Sequence, residues 1–167
     1  GASLDETAHG YLARVRAGGL PAVLFVSHVG GGGTERHLRE LAAALDGRAN
    51  VFLLRPADGG ETMLEWLRDG EGFRLAFRLP GGNEALLQAL RALGVAHVHF
   101  HHTRGHASAV CDLPASLGVS HDFTAHDFFS AFASSSRKGP LSGSASTTVT
   151  LLPPRPFFSM RSFAVTF

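Results

Sequence analysis

Cysteine is nearly absent from the 167-residue sequence, in which Cys111 is the only one. A single cysteine can form no intrachain disulfide and no cysteine-based metal cage. Apolar runs approaching the roughly 18 residues of a membrane span are missing, as is the basic-then-apolar pattern of a signal peptide. With a formal net charge of +1, the chain as a whole offers no electrostatic case for binding nucleic acid or a membrane surface. These absences predict a cytoplasmic protein without a membrane span, and they leave peripheral membrane association open.

Acidic residues are missing altogether after Asp127, although acids and bases alternate freely before it. The following stretch SSSRKGPLSGSASTTVT is rich in Ser, Gly and Thr, a composition typical of a linker rather than of a further α/β unit. We therefore expect three parts: an N-terminal helical extension over residues 1–19, a domain over 20–133 and an atypical tail over 134–167. The abrupt change in composition suggests that the tail is a fused segment or comes from a shifted reading frame.

Short apolar runs alternate with helical patterns along most of the chain. The runs PAVLFVS, NVFLLRP and VAHVHFHH are too short for helices and predict strands buried on both faces. Leucine and alanine at helical spacing lie between these runs, and Thr34 and Asn83 are expected to cap helices there. The segments TMLEWLR and FRLAFRL flank the turn signal DGEG and are expected to form a hairpin or two short strands. The predicted fold class is therefore α/β, a Rossmann-like parallel sheet with helices on both faces.

Four consecutive glycines, residues 30–33, follow the first predicted strand. A phosphate-binding P-loop needs a lysine after the last glycine, but the only lysine of the chain is Lys138. A dinucleotide fingerprint needs a glycine where Glu35 stands, and an acid after the second strand, where Arg55 stands. Two interpretations remain: a merely flexible turn, or a turn whose backbone N–H groups bind a phosphate or a sugar hydroxyl.

Histidine is abundant, with ten in the chain. His97, His99 and His101 alternate along one predicted strand and could form a row of metal ligands. Because no acid or cysteine joins them at ligand spacing, we predict that they are hydrogen-bonded core residues and that the protein has no metal site. A second candidate metal set combines two His-Asp pairs, His121-Asp122 and His126-Asp127.

Two sequence motifs occur in a characteristic order. Residues 32–35 form a Gly-Gly-x-Glu turn within VLFVSHVGGGGTERHLRELAAAL, and His126-Asp127 is followed by aromatic residues within LGVSHDFTAHDFFS. Together with the strand end VHFHH, these motifs resemble the N-terminal domain of group 1 glycosyltransferases, which are retaining, nucleotide-sugar-dependent enzymes of the GT-B fold. The resemblance covers residues 20–133 and implies that the chain is one half of a GT-B fold, from a bacterial enzyme of glycan assembly.

The resemblance also implies a site at the carboxyl ends of the strands, where ligands bind in such sheets. His126 and Asp127 are the expected catalytic residues, with His126 positioning the transferred sugar by a hydrogen bond. The residues expected to bind the donor phosphates or other parts of the substrates are Gly31, Gly32, Gly33, Thr34, Glu35, His28, His101 and His102. No cofactor is implied, since the nucleotide sugar is the donor substrate and a glycan or other molecule is the acceptor. Because the donor-binding domain has no counterpart here, the isolated chain is expected to be an inactive half-enzyme.

Two other classes of protein share this α/β pattern. A non-catalytic Rossmann-like binding module would use the same fold as an interaction surface. A flavodoxin-like or receiver-like domain would need paired acids after the first strand and a lysine late in the sheet. Ser27-His28 and the lone Lys138 do not meet those needs. The sequence leaves the donor sugar, the acceptor, the linkage and the oligomeric state open.

Overall fold

A computed structural model describes residues 6–68, 73–125, 147–151 and 164–166. Its helices are α1 (Glu6–Ala17), α2 (Gly32–Ala44), α3 (Asn83–Leu93), α4 (Ser108–Cys111) and α5 (Leu113–Leu117). Its strands are β1 (Ala22–Val26), β2 (Asn50–Pro56), β3 (Glu61–Leu67), β4 (Arg74–Arg78), β5 (Val95–Phe100), β6 (Ser120–Ala125), β7 (Thr147–Leu151) and β8 (Ala164–Thr166). No helix within this part of the chain is both long enough and apolar enough to cross a membrane.

All eight strands form one sheet, in the order β4-β3-β2-β1-β5-β6-β7-β8. Its centre is parallel, since β1 pairs in parallel with both β2 and β5, and β6 continues the parallel pairing beyond β5. Of the two alternatives for the segments that flank DGEG, the hairpin is the one supported, because β3 and β4 pair with each other antiparallel. They extend the sheet on the far side of β2, to which β3 is also antiparallel. The predicted α/β, Rossmann-like class is therefore confirmed, with an antiparallel hairpin added at one edge.

Side chains of the central strands alternate between two apolar layers. On one face Phe25 and Leu53 pack with Leu38 of α2. On the other face Leu24 and Phe52 belong to a larger cluster that includes several leucines and alanines of α3. Because successive strand residues point to opposite faces, a continuous apolar strand requires helices on both sides. This arrangement explains the unbroken apolar run of β1.

Some helix ends differ from the sequence-based expectation. The helix predicted to be capped by Thr34 begins at Gly32, with Gly31 as its N-cap residue. After β5 the chain forms the two short helices α4 and α5, and Pro114 lies in the first turn of α5, where a proline is well tolerated. The tail predicted over residues 134–167 contains β7, parallel to β6, and β8, antiparallel to β7. The domain boundaries at residues 19 and 133 stay predictions.

Candidate functional site

The glycine turn, residues 30–33, connects the carboxyl end of β1 to the start of α2. Gly31 and Gly32 have φ angles of 63° and 72°, a region that residues with a Cβ rarely adopt. All four glycines are exposed. Because the first N–H groups of a helix have no intrahelical partner and carry the positive end of its dipole, this turn can receive an anion.

Two histidine rings lie against each other beside the glycine turn. His28 and His102 have ring centroids 4.5 Å apart. The backbone N–H of Gly30 donates to Nδ1 of His28 at 2.7 Å, and the N–H of Arg104 donates to Nδ1 of His102 at 3.0 Å. A nitrogen that accepts a hydrogen bond carries no proton, so both rings hold their proton on Nε2 when neutral. Each ring can then present an N–H donor to an oxygen atom.

The close fit between residue 30 and the ring of His28 explains why residue 30 is a glycine. A Cβ at residue 30 would lie 2.6 Å from Cε1 of His28, which is too short for a real contact. Gly33 is different, because a Cβ there would meet no atom of the described part of the chain within 4 Å. Gly30 therefore serves the protein's own packing, whereas the described residues leave open space beside Gly33.

His106, which was not among the predicted site residues, belongs to the same edge of the sheet. Its Nε2–H donates to the carbonyl oxygen of Ser27 at 2.7 Å. Its Nδ1 is buried without a hydrogen-bond partner in the described part of the chain, and so is Oγ of Ser27. Burial lowers the pKa of His106, and the neighbouring His102 and His28 lower it further, while the hydrogen bond to Ser27 acts in the opposite direction. His106 is therefore a neutral imidazole at pH 7.

The lowered pKa of His106 makes a testable prediction for stability. The unfolded chain binds a proton near the ordinary histidine pKa of 6.5, whereas the folded chain binds it only at lower pH. The lowered pKa of His106 therefore contributes a part of the folding stability that is present above pH 6.5 and is lost as the pH falls below it. We expect the His106→Gln variant, which keeps an N–H donor for Ser27 but does not titrate, to lose less stability than the wild type. Urea unfolding at about pH 7.5 and about pH 5.5 measures the difference, and equal losses in the two proteins would contradict the prediction.

Glu35, in the first turn of α2, is held by two arginines. Its carboxylate lies 2.7 Å from Arg39 and 3.8 Å from Arg55 at the end of β2. Arg55 also lies 3.5 Å from Glu65 of β3. This chain of charges fixes the first turn of α2 to the neighbouring strands. Thr34, in the same turn, is half-buried and is not the N-cap residue.

His101 is fully buried, in contrast to the partly exposed His28. Its ring contacts Phe25 with a centroid distance of 4.9 Å and His37 of α2 with one of 5.7 Å. Its backbone N–H donates to the carbonyl of Val26 at 2.8 Å. The structure thus brings His28 and His102 to the glycine turn and places the His101 ring between the sheet and α2.

The predicted catalytic pair, His126 and Asp127, lies outside the described residues. The pair follows directly after β6, which ends at Ala125. Because β6 runs parallel to β5 and β5 runs parallel to β1, the carboxyl ends of the three strands lie at the same edge of the sheet. The glycine turn, His28 and His102 are at this edge.

A separate cluster, formed by His97, His99 and Asp122, lies along β5 and β6, before the carboxyl ends of these strands. Asp122 Oδ1 lies 2.9 Å from Nε2 of His97 and 2.5 Å from Nδ1 of His99. The expectation that no acid joins these histidines is therefore wrong, because Asp122 reaches them from the adjacent strand. Burial alone would raise the pKa of Asp122, but the hydrogen bonds from His97 and His99 outweigh it and hold the pKa well below its usual range. The carboxylate is ionised at neutral pH.

A comparison with protein families matches residues 31–152 to the family model described as Glycosyltransferase Family 4. The match spans well over half of the chain, from the glycine turn through β7. No curated protein and no solved structure gives a significant match. The α/β sheet with a glycine turn at its carboxyl edge is thus that of a glycosyltransferase domain. The chain belongs to glycosyltransferase family 4, which confirms the predicted resemblance at the level of a glycosyltransferase.

Proposed function

We propose that this domain takes part in transferring a sugar from a nucleotide-sugar donor to a glycan or other acceptor, with retention at the sugar carbon. The observation that carries the proposal is the exposed glycine turn at the start of α2, beside the rings of His28 and His102. Membership of a glycosyltransferase family supports it. We further propose a cytoplasmic, bacterial enzyme, in line with the sequence-based expectation.

The glycine turn suits the leaving group of such a reaction. Breaking the bond between the sugar and a nucleoside diphosphate places negative charge on the diphosphate and positive charge on the sugar carbon. The N–H groups and the positive end of the α2 dipole stabilise the first of these charges without needing to reorganise. Gly33 keeps the backbone accessible, because no atom of the described residues lies within 4 Å of the position that a Cβ would take there.

His28 and His102 suit the oxygen atoms of the substrates. Because Nδ1 of His28 and of His102 accepts a backbone hydrogen bond, Nε2 of each ring carries a proton that can be donated to a hydroxyl or phosphate oxygen. His106 anchors this edge through its hydrogen bond to the carbonyl of Ser27. His126 and Asp127, which follow β6, are proposed as the catalytic residues, with His126 hydrogen-bonded to the transferred sugar. The role of this pair comes from the sequence resemblance alone.

Replacing Gly33 with valine should weaken binding of a nucleoside diphosphate by about tenfold or more, which corresponds to about 1.4 kcal/mol. The thermal midpoint should change little, since a Cβ at residue 33 would have no neighbour within 4 Å among the residues that the structure describes. Gly10→Val is the matched control, because Gly10 also lies in a helix with open space around it. Titration of the ¹⁵N-labelled chain with a nucleoside diphosphate measures the affinity and reports directly on the backbone amides of residues 31–33.

Two results would contradict the proposed phosphate contact. One is a wild-type titration in which the amides of residues 31–33 do not respond while others do. The second is equal affinity in the wild type and the Gly33→Val variant. Loss of affinity in the Gly10→Val control would show that the effect comes from the helix propensity of valine rather than from the turn.

A further inference from the structure

Three residues of β6 face two histidines of β5 across one side of the sheet. The strands pair in parallel, with His97 opposite Ser120 and His99 opposite Asp122. Because side chains at alternate positions share a face, Ser120, Asp122 and Thr124 form one polar row beside His97 and His99. We call these five residues the β5–β6 polar ladder. It lies along the strands, whereas the glycine turn lies beyond their carboxyl ends.

We propose that His97, His99 and Asp122 bind a divalent transition-metal ion, for which zinc is the best match. One ligand atom from each residue lies within 4.8 Å of those from the other two. Ligands at about 2.0–2.2 Å from a tetrahedral zinc ion are separated by about 3.3 Å. The two nitrogens now contact the same carboxylate oxygen at 2.9 and 2.5 Å, so the three atoms need only small outward movements to admit an ion between them.

The second ring nitrogen of each histidine, which points away from Asp122, supports the assignment. Nδ1 of His97 lies 2.8 Å from Oγ of Ser120, and Nε2 of His99 lies 2.8 Å from Oγ1 of Thr124. A hydroxyl can either donate or accept a hydrogen bond. When the ion takes the lone pair on the Asp122 side, each ring moves its proton to the other nitrogen, which then donates to the hydroxyl. Metal-bound histidines are commonly oriented by a hydrogen bond of this kind.

The exposure of the ladder leaves room for further ligands. The side chains of His97 and Asp122 are 32% and 25% exposed, whereas that of His99 is 10% exposed. Water can therefore complete the coordination from the open side. The ligand set selects the ion, because imidazole nitrogens suit zinc, copper, nickel and iron, while magnesium and calcium prefer oxygen ligands throughout. The ionised Asp122 adds the negative charge that a divalent ion requires.

Cobalt(II) is the best probe, because it takes the place of zinc and absorbs visible light in a way that depends on its ligands. Titration of the full chain with Co²⁺ should give a saturable visible spectrum with one equivalent bound. Zn²⁺ should displace the cobalt and abolish the spectrum. The thermal midpoint should rise with metal concentration, since an ion bound only by the folded state stabilises it.

Variants locate the binding site among the ten histidines. His97→Gln and Asp122→Asn should each abolish the cobalt spectrum, whereas His9→Gln should leave it unchanged, because His9 is exposed on α1, which is not part of the ladder. Thr124→Val, which nearly conserves volume, should weaken binding by about 10–100-fold without removing a ligand. Circular dichroism checks that each variant is folded.

The proposal fails if the wild type shows no saturable cobalt spectrum. It also fails if His97→Gln and Asp122→Asn, both folded, bind cobalt as the wild type does. In the second case the ion binds elsewhere, for example beside His28 and His102. If both substitutions lower the thermal midpoint equally with and without metal, the β5–β6 polar ladder is a hydrogen-bonded structural feature only, and the proposal is overturned. The wild-type titration decides the question even if a variant does not fold.

Discussion

Replacing Phe52 with alanine should destabilise the domain by about 3–5 kcal/mol, the usual cost of removing a buried phenylalanine. Phe52 is fully buried on β2 and lies opposite Trp66 of β3 in the sheet register. Its ring stacks on that of Trp66 with centroids 6.0 Å apart and lies 5.9 Å from the ring of Phe73. The substitution therefore removes contacts within the main core and also those that hold the antiparallel hairpin to the parallel centre.

Urea unfolding of the two proteins measures this effect. Leu20→Ala is the control, because Leu20 is 38% exposed and a substitution there should change the free energy of unfolding by no more than about 0.5 kcal/mol. A loss below about 1 kcal/mol for Phe52→Ala would mean that the core around the hairpin closes over the gap or is not packed as described.

The sheet could be predicted from the sequence because its signal is local. Each central strand is a short apolar run bounded by glycine or by a helical pattern, and such runs need no knowledge of distant residues to be recognised. The hairpin prediction also depended on a local turn signal. The start of α2 was predicted at the wrong residue, because Thr34 is a good capping residue in isolation. In the structure the positive φ angles of Gly31 and Gly32 allow the turn to enter the helix three residues earlier, with Gly31 instead of Thr34 as the N-cap residue.

The β5–β6 polar ladder could not be predicted in the same way. His99 and Asp122 are 23 residues apart, and they meet only because β6 pairs with β5 in one particular register. The alternation His-x-His on one strand and Ser-x-Asp-x-Thr on the other is visible in the sequence. Strand order and register are long-range properties, and a shift of one residue would turn Asp122 to the opposite face.

The residues at the carboxyl edge were predicted in part. The rule that ligands bind beyond the ends of parallel strands placed His28 and His102 correctly beside the glycine turn. The same rule gave no reason to separate His102 from His101, whose ring lies between the sheet and α2. His106 was missed as a site residue because its contact with Ser27 spans 79 positions. Its place in the histidine-rich stretch after β5 was the only signal in the sequence.

Replacing His126 with alanine should lower the rate of sugar transfer by roughly 100-fold or more. The reason is that a hydrogen-bond donor held beside the transferred sugar matters most when charge develops at the sugar carbon. The measurement is steady-state kinetics of a transferase that joins this chain to a donor-binding domain, with a thermal melt of each variant. The turnover number should fall more than the affinity for the donor changes.

His9→Ala is the control for that experiment, because His9 is an exposed histidine on α1. Gly33→Val should give the opposite kinetic pattern to His126→Ala, with weaker donor binding and a smaller change in turnover, since it blocks approach to the backbone rather than the chemical step. Full turnover in a folded His126→Ala variant would show that the residue has no part in catalysis. A variant that unfolds would make His126 a structural histidine, and the non-catalytic binding module would then become the better description of this domain.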